Sequence, residues 1–138
     1  MGAILAIDLG DKYWGLAKSD DDQKLAFPFA TWNIAEIRQC KQSVSEKLSA
    51  LCQSEQISEL VIGLPLNLQG NDTNQTRRVR NLTDDIKKLL DMPVILFDER
   101  YTTKEAARFP GSDKAKINAQ AAQIFLQSYL DSQQKNHV

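Results

Sequence analysis

The sequence predicts an α/β fold, one mixed five-stranded sheet with helices on its faces. Three observations carry this. Short apolar runs closed by turn residues recur at 3–8, 13–18, 25–32, 58–65 and 94–97. The first three follow one another through short polar connections, as in a hairpin meander. The remaining two alternate with longer segments whose apolar residues recur at helical spacing, the pattern of α/β crossovers.

The elements follow in order. AILAID, residues 3–8, is a short apolar run closed by Asp8-Leu9-Gly10 and reads as a buried strand. YWGLAK, 13–18, reads as its hairpin partner across the tight turn Gly10-Asp11-Lys12. Asp20-Asp21-Asp22 reads as a solvated turn rather than a metal site, because three consecutive acids point in different directions. LAFPFATW, 25–32, is a third strand, and Pro28 within it implies an edge position or a bulge. Ile34, Ile37, Val44, Leu48 and Leu51 predict one helix over 34–54. SELVIGLP, 58–65, is a buried strand, followed by a polar loop over 66–74 and a helix over 75–90. VILF, 94–97, ends in Asp98-Glu99-Arg100. Thr102 or Thr103 caps a short helix over 104–108, FPGSDK is a loop, and residues 116–131 form the last helix before a polar tail over 132–138.

A chain of 138 residues suits one domain. Its composition, 42% hydrophobic and 25% charged, is that of a globular protein. No apolar run approaches the roughly 20 residues of a membrane span, and no leader is recognisable, so no membrane partner and a cytoplasmic location are expected. Cys40 and Cys52 fall in one predicted helix, ~18 Å apart by helical rise, too far for a disulfide. No zinc-type spacing is present, and the single histidine, His137, lies in the tail. The chemistry must therefore run on carboxylates, hydroxyls, amides or bases other than histidine. Residues 1–76 carry six Lys/Arg against ten Asp/Glu, and residues 77–116 carry ten against seven. The formal net charge of −1 argues against broad polyanion binding, while the local basic excess suits a few phosphate contacts.

Two predicted strands end in acids, at Asp8 and at Glu99. If they are parallel neighbours, the two carboxylates converge in the crevice outside the strand ends, where α/β sheets bind ligands. Paired carboxylates without histidine make a hard oxygen site of the kind Mg²⁺ or Mn²⁺ takes, and such ions clamp phosphates. Alternatively, Asp8 merely opens a turn and Glu99 pairs with Arg100. Asn67, in the glycine-bounded loop GLPLNLQG, is placed to contact phosphate or sugar, unless that loop is a plain connection. Arg77, Arg78 and Arg80 at the start of a helix suit a phosphate or form a solvated face. Trp14, Trp32, Tyr13 and Tyr101 are candidates for base stacking, with core packing the commoner role for strand aromatics.

Taken together and in this order, these motifs resemble the YqgF/RuvX family, whose members are described as Holliday-junction resolvases and as nucleases that mature pre-16S rRNA. The resemblance covers nearly the whole chain. It rests on Asp8-Leu-Gly-Asp-Lys12-Tyr-Trp-Gly15-Leu-Ala17, on Gly63-Leu-Pro-Leu-Asn67-Leu-Gln-Gly70, on Arg78-Val-Arg80, and on Asp98-Glu99-Arg100-Tyr-Thr102-Thr103, with Tyr101 where the family has leucine. It implies an RNase H-like fold and cleavage of structured nucleic acid, precursor rRNA or a DNA junction, dependent on Mg²⁺ or Mn²⁺. It maps two of three expected acids onto Asp8 and Glu99. The third position, after a Lys-x pair at the start of the last helix, is Asn118 here, an amide that can ligate a hard cation but adds no charge. Asp113, five residues upstream, would have to fold back to replace it. Lys12, Asn67, Arg78, Arg80, Arg100 and Lys116 are then expected to contact nucleic acid.

Two alternatives stand beside this reading. A chain disarmed by Asn118 would bind nucleic acid in ribosome maturation without cutting it. The Asp-x-Gly after the first strand also resembles the phosphate loop of actin-like ATPases, which need two lobes where this chain has one. A monomer or weak homodimer is expected, since a two-fold junction calls for a symmetric pair.

Overall fold

A computed structural model describes residues 2–40, 43–66, 69–98 and 114–135. Five strands, β1 (Ala3–Leu9), β2 (Tyr13–Ser19), β3 (Ala26–Asn33), β4 (Ile57–Leu64) and β5 (Val94–Asp98), form one sheet in the order β3-β2-β1-β4-β5. The meander β1–β3 is antiparallel, while β1, β4 and β5 run parallel, which makes the sheet mixed. Helices α1 (Ile34–Gln39), α2 (Val44–Ser54) and α3 (Asn74–Leu89) cover one face, and α4 (Lys114–Lys135) covers the other.

The alternation of β1 decides the layers. Leu5, Ile7 and Leu9 enter the core beneath α1–α3, joined by Leu48, Leu60, Ile62, Val79 and Ile86. Ile4 and Ala6 point the other way, towards Ala122, Phe125 and Leu126 of α4. A strand apolar on both faces can only sit between two layers, which is why β1 is central. The small residues Ala6, Gly15 and Ala17 let α4 lie close on β1 and β2.

Pro28 meets both expectations stated for it. β3 is an edge strand, and its register shifts as Leu16 pairs with Ala30 but Ala17 with Pro28, leaving Phe29 as the extra residue of a bulge. Trp14 and Trp32 are buried and stacked on one another, with ring centroids 6.3 Å apart, so both serve the core.

The predicted helix over 34–54 is two helices. Asn33 caps α1 by accepting from the Glu36 N–H, and Ser43 caps α2 by accepting from the Glu46 N–H. A side-chain cap restarts the chain in a new direction, and the pattern Ser43-x-x-Glu46 was the available signal for the break. Cys40 therefore ends α1 while Cys52 lies buried in α2; both are free thiols, and burial pushes the Cys52 thiol up to about 11. The last helix runs four residues beyond the expected end, into the segment read as a tail. The short helix expected over 104–108, the loop after it and Tyr101 lie outside the described residues. Among the described residues no helix is long and apolar enough to cross a membrane.

Candidate functional site

Asp8 sits at the carboxyl end of β1, paired in register with Gly15 of β2. By strand alternation it shares the α4 face with Ile4 and Ala6, and Gly63 of β4 continues that face from Val61. The carboxylate is thus flanked in the sheet by two residues without side chains. Asp8 is half-buried, and among the described residues it takes part in no hydrogen bond or ion pair. Burial pushes its carboxyl up to about 6, because an anion withdrawn from water without a partner is disfavoured.

Gly15 brings α4 to this place. A Cβ on Gly15 would lie 2.1 Å from the Asn118 carbonyl carbon and oxygen, so only glycine admits the helix here. The Asn118 side chain is directed at the β1–β2 turn: its Nδ2 donates over 3.5 Å to the Tyr13 carbonyl, which also accepts from the Gly10 N–H at 3.0 Å. Asn118 and Asp8 therefore lie at the same end of the sheet, each beside Gly15, although 110 residues separate them in the chain.

β5 is parallel to β1, as the convergence of Asp8 and Glu99 requires, but it is not its neighbour: β4 lies between them. The ends of the two strands are thus about 10 Å apart, two inter-strand spacings, rather than adjacent. The physical reason is the crossover, since the apolar run of β4 is buried on both faces and takes the inner place. Glu99, Arg100, Asn67 and Asp113 lie outside the described residues. Among the described residues no cluster of three His, Cys, Asp or Glu is present.

The basic residues differ in their freedom. Lys12 is exposed in the β1–β2 turn, and its carbonyl accepts from the Ile34 N–H at 3.0 Å, which ties that turn to the start of α1. Arg78 is exposed on α3 and makes no hydrogen bond or ion pair with a described residue. Arg80 is engaged by Asp72 through two parallel bonds of 3.0 Å, which hold the Asp72 carboxyl below the usual carboxylate range. Lys116 lies in the first turn of α4. The start of α3 is pinned by a capping box between Thr73 and Thr76, and the buried Thr76 hydroxyl donates to the Pro65 carbonyl just after β4. Sequence reasoning passed over Gly15 and Thr76 as positioning residues. Gly15 had a signal, a glycine amid apolar strand residues.

Comparison with known proteins agrees with this architecture. The family model of RuvX, described as Holliday junction resolvase, matches residues 2–132. A protein of Maridesulfovibrio salexigens named "Putative pre-16S rRNA nuclease" is 37% identical over 92% of this chain and 96% of its own. A protein of the same name from Dictyoglomus thermophilum is 38% identical over 94% of this chain and 95% of its own. Among solved structures, T. thermophilus RuvC in complex with Holliday junction substrate superposes with a TM-score of 0.59 at 11% identity, covering 97% of this chain and 96% of that one. That likeness establishes the RNase H-like fold.

Proposed function

This chain belongs to the RuvX Holliday junction resolvase family, and from that premise we propose that it is a divalent-metal-dependent nuclease acting on structured nucleic acid. The observation that carries the proposal is Asp8: a half-buried carboxylate at the carboxyl end of β1, unpaired among the described residues and paired in register with Gly15, against which Asn118 packs. Such an anion fits a hard dication, which would remove the cost of its desolvation. Asp8 and Glu99 would hold Mg²⁺ or Mn²⁺ with Asn118 as a neutral oxygen ligand. When bound, the ion supplies Lewis-acid stabilisation of the charge that develops on the phosphate and makes water a competent nucleophile.

The chain's own side chains do the rest. Lys12, Arg78, Arg100 and Lys116 bind the phosphates and fix the scissile linkage over Asp8. Arg80 contributes once it exchanges Asp72 for a phosphate oxygen, and Asn67 holds phosphate or sugar beside it. Water attacks the phosphorus in line, and the P–O bond to the leaving nucleoside breaks. The relatives' names and the family description point to precursor rRNA and to a DNA junction as the substrates to compare, and a cytoplasmic site of action is part of this proposal. A monomer suffices for rRNA, whereas symmetric cleavage of a junction requires a homodimer, weak or transient.

The test is cleavage of a four-way DNA junction and of precursor 16S rRNA, with Mg²⁺ and with Mn²⁺, by the parent, Asp8→Asn and Asn118→Asp. Activity lost in Asp8→Asn is expected; equal cleavage by parent and Asp8→Asn overturns the site. A second reading rests on Asn118, which brings no charge to the site. A silent parent made active by Asn118→Asp would identify a disarmed nuclease that binds without cutting.

A further inference from the structure

At the same end of the sheet, but on the side away from the Asp8 carboxylate, lies a cavity of about 130 Å³. Its floor is apolar: Leu9, Trp14, Ile34 and Val79. Its rim is polar, with Arg38 from the last turn of α1, Gln75 and Arg78 from the first turns of α3, and Asp11 from the β1–β2 turn. Leu82, itself 40% exposed, completes one wall. Arg38, Gln75, Arg78 and Asp11 make no side-chain hydrogen bond or ion pair with a described residue. Gly10 joins the two sites: it lines this cavity, and its Cα faces the Asn118 amide, whose Nδ2 would be 3.6 Å from a Cβ placed there.

We propose that this cavity seats one unstacked base of the nucleic acid whose backbone lies over Asp8. The inference rests on the nuclease reading for its ligand class and extends it to a specificity site. Three features select a base. The volume is well below the several hundred Å³ of pockets for larger organic ligands, and it suits a single flat ring system. Two guanidiniums over an apolar floor offer flat cationic surfaces, which stack on a base and attract its phosphate together. Gln75 presents both a donor and an acceptor and Asp11 an acceptor, a set that reads the edge of an unpaired base. The continuity through Gly10 puts the base of one nucleotide here when a neighbouring phosphate is at Asp8. The preferred substrate is therefore one with an unpaired nucleotide beside the scissile linkage.

The experiment measures binding of the full chain without divalent metal, by fluorescence anisotropy. The probes are a duplex with one unpaired nucleotide and the same duplex with that nucleotide abasic, so that only the base differs. The parent is expected to prefer the intact probe about tenfold. Gln75→Ala should reduce that preference towards unity while leaving binding of the abasic probe within about twofold, and Arg38→Ala should reduce it as well while weakening both probes through the lost phosphate contact. Arg38→Lys separates stacking from charge: it should retain abasic binding and still lose the preference. Equal affinity of the parent for the two probes overturns the proposal, as does an Arg38→Lys variant with the parent's preference. Because no cleavage is read, failure here leaves the Asp8 assignment standing, and failure of the Asp8→Asn test leaves a base preference standing.

Discussion

Asp8 is held where water would normally be needed to stabilise it. Its carboxyl is raised from 3.8 to about 6, so the folded chain holds that proton more tightly than the unfolded chain does. The cost is absent below the unfolded value, grows as pH rises across the interval and is complete above about 6. Asp8→Asn is therefore expected to stabilise the metal-free protein by about 3 kcal/mol at pH 7 and to leave it nearly unchanged near pH 3.5. Urea unfolding with a chelator at the two pH values checks this. Gly15→Ala should do the opposite. Its Cβ would meet the Asn118 backbone at 2.1 Å, which forces α4 off the sheet at a cost of about 2 kcal/mol or more, with loss of cleavage. Thermal unfolding and the nuclease assay read the two effects separately. Asp8 is legible in the sequence because a strand end and its closing turn are local features. The seating of Asn118 on Gly15 is not, since it depends on a contact between residues that only the folded sheet brings together.

The elements themselves are mostly legible, because apolar period and turn residues are local too. All five strands fall within a residue or two of their expected bounds. The division between α1 and α2 escaped the period reading: the apolar residues of both helices face one core, so their spacing reads as continuous through the join. Only the cap marks it, and Ser43→Ala should cost about 1 kcal/mol, seen as a lower urea midpoint. At the start of α3 the stakes are higher. Thr76→Val keeps the shape of the side chain but removes the bonds to the Pro65 carbonyl and the Thr73 N–H. A loss of about 2 kcal/mol is expected, with faster amide hydrogen exchange confined to the first two turns of α3, which carry Gln75 and Arg78.

For the whole molecule, strand order is what the sequence leaves open. The apolar runs of β1 and β4 mark both as buried, but nothing local states which of the parallel strands flanks β1, and the structure places β4 there. The uneven charge, in contrast, is visible from composition alone. With Lys12, Arg78, Arg100 and Lys116 on phosphates, log K against log salt should fall with a slope of about −3, and Asp72→Asn, which frees Arg80, should steepen it by about one. Titrations from low to physiological salt measure both slopes. The placement of α4 has a consequence for synthesis. A chain emerging N-terminus first can pair all five strands and still leave one face of the sheet bare, because the helix that covers β1 and β2 follows all five strands in the sequence. Asn118 travels on that helix. That helix thus both closes the apolar face and completes the proposed site, so neither is in place until α4 has been made.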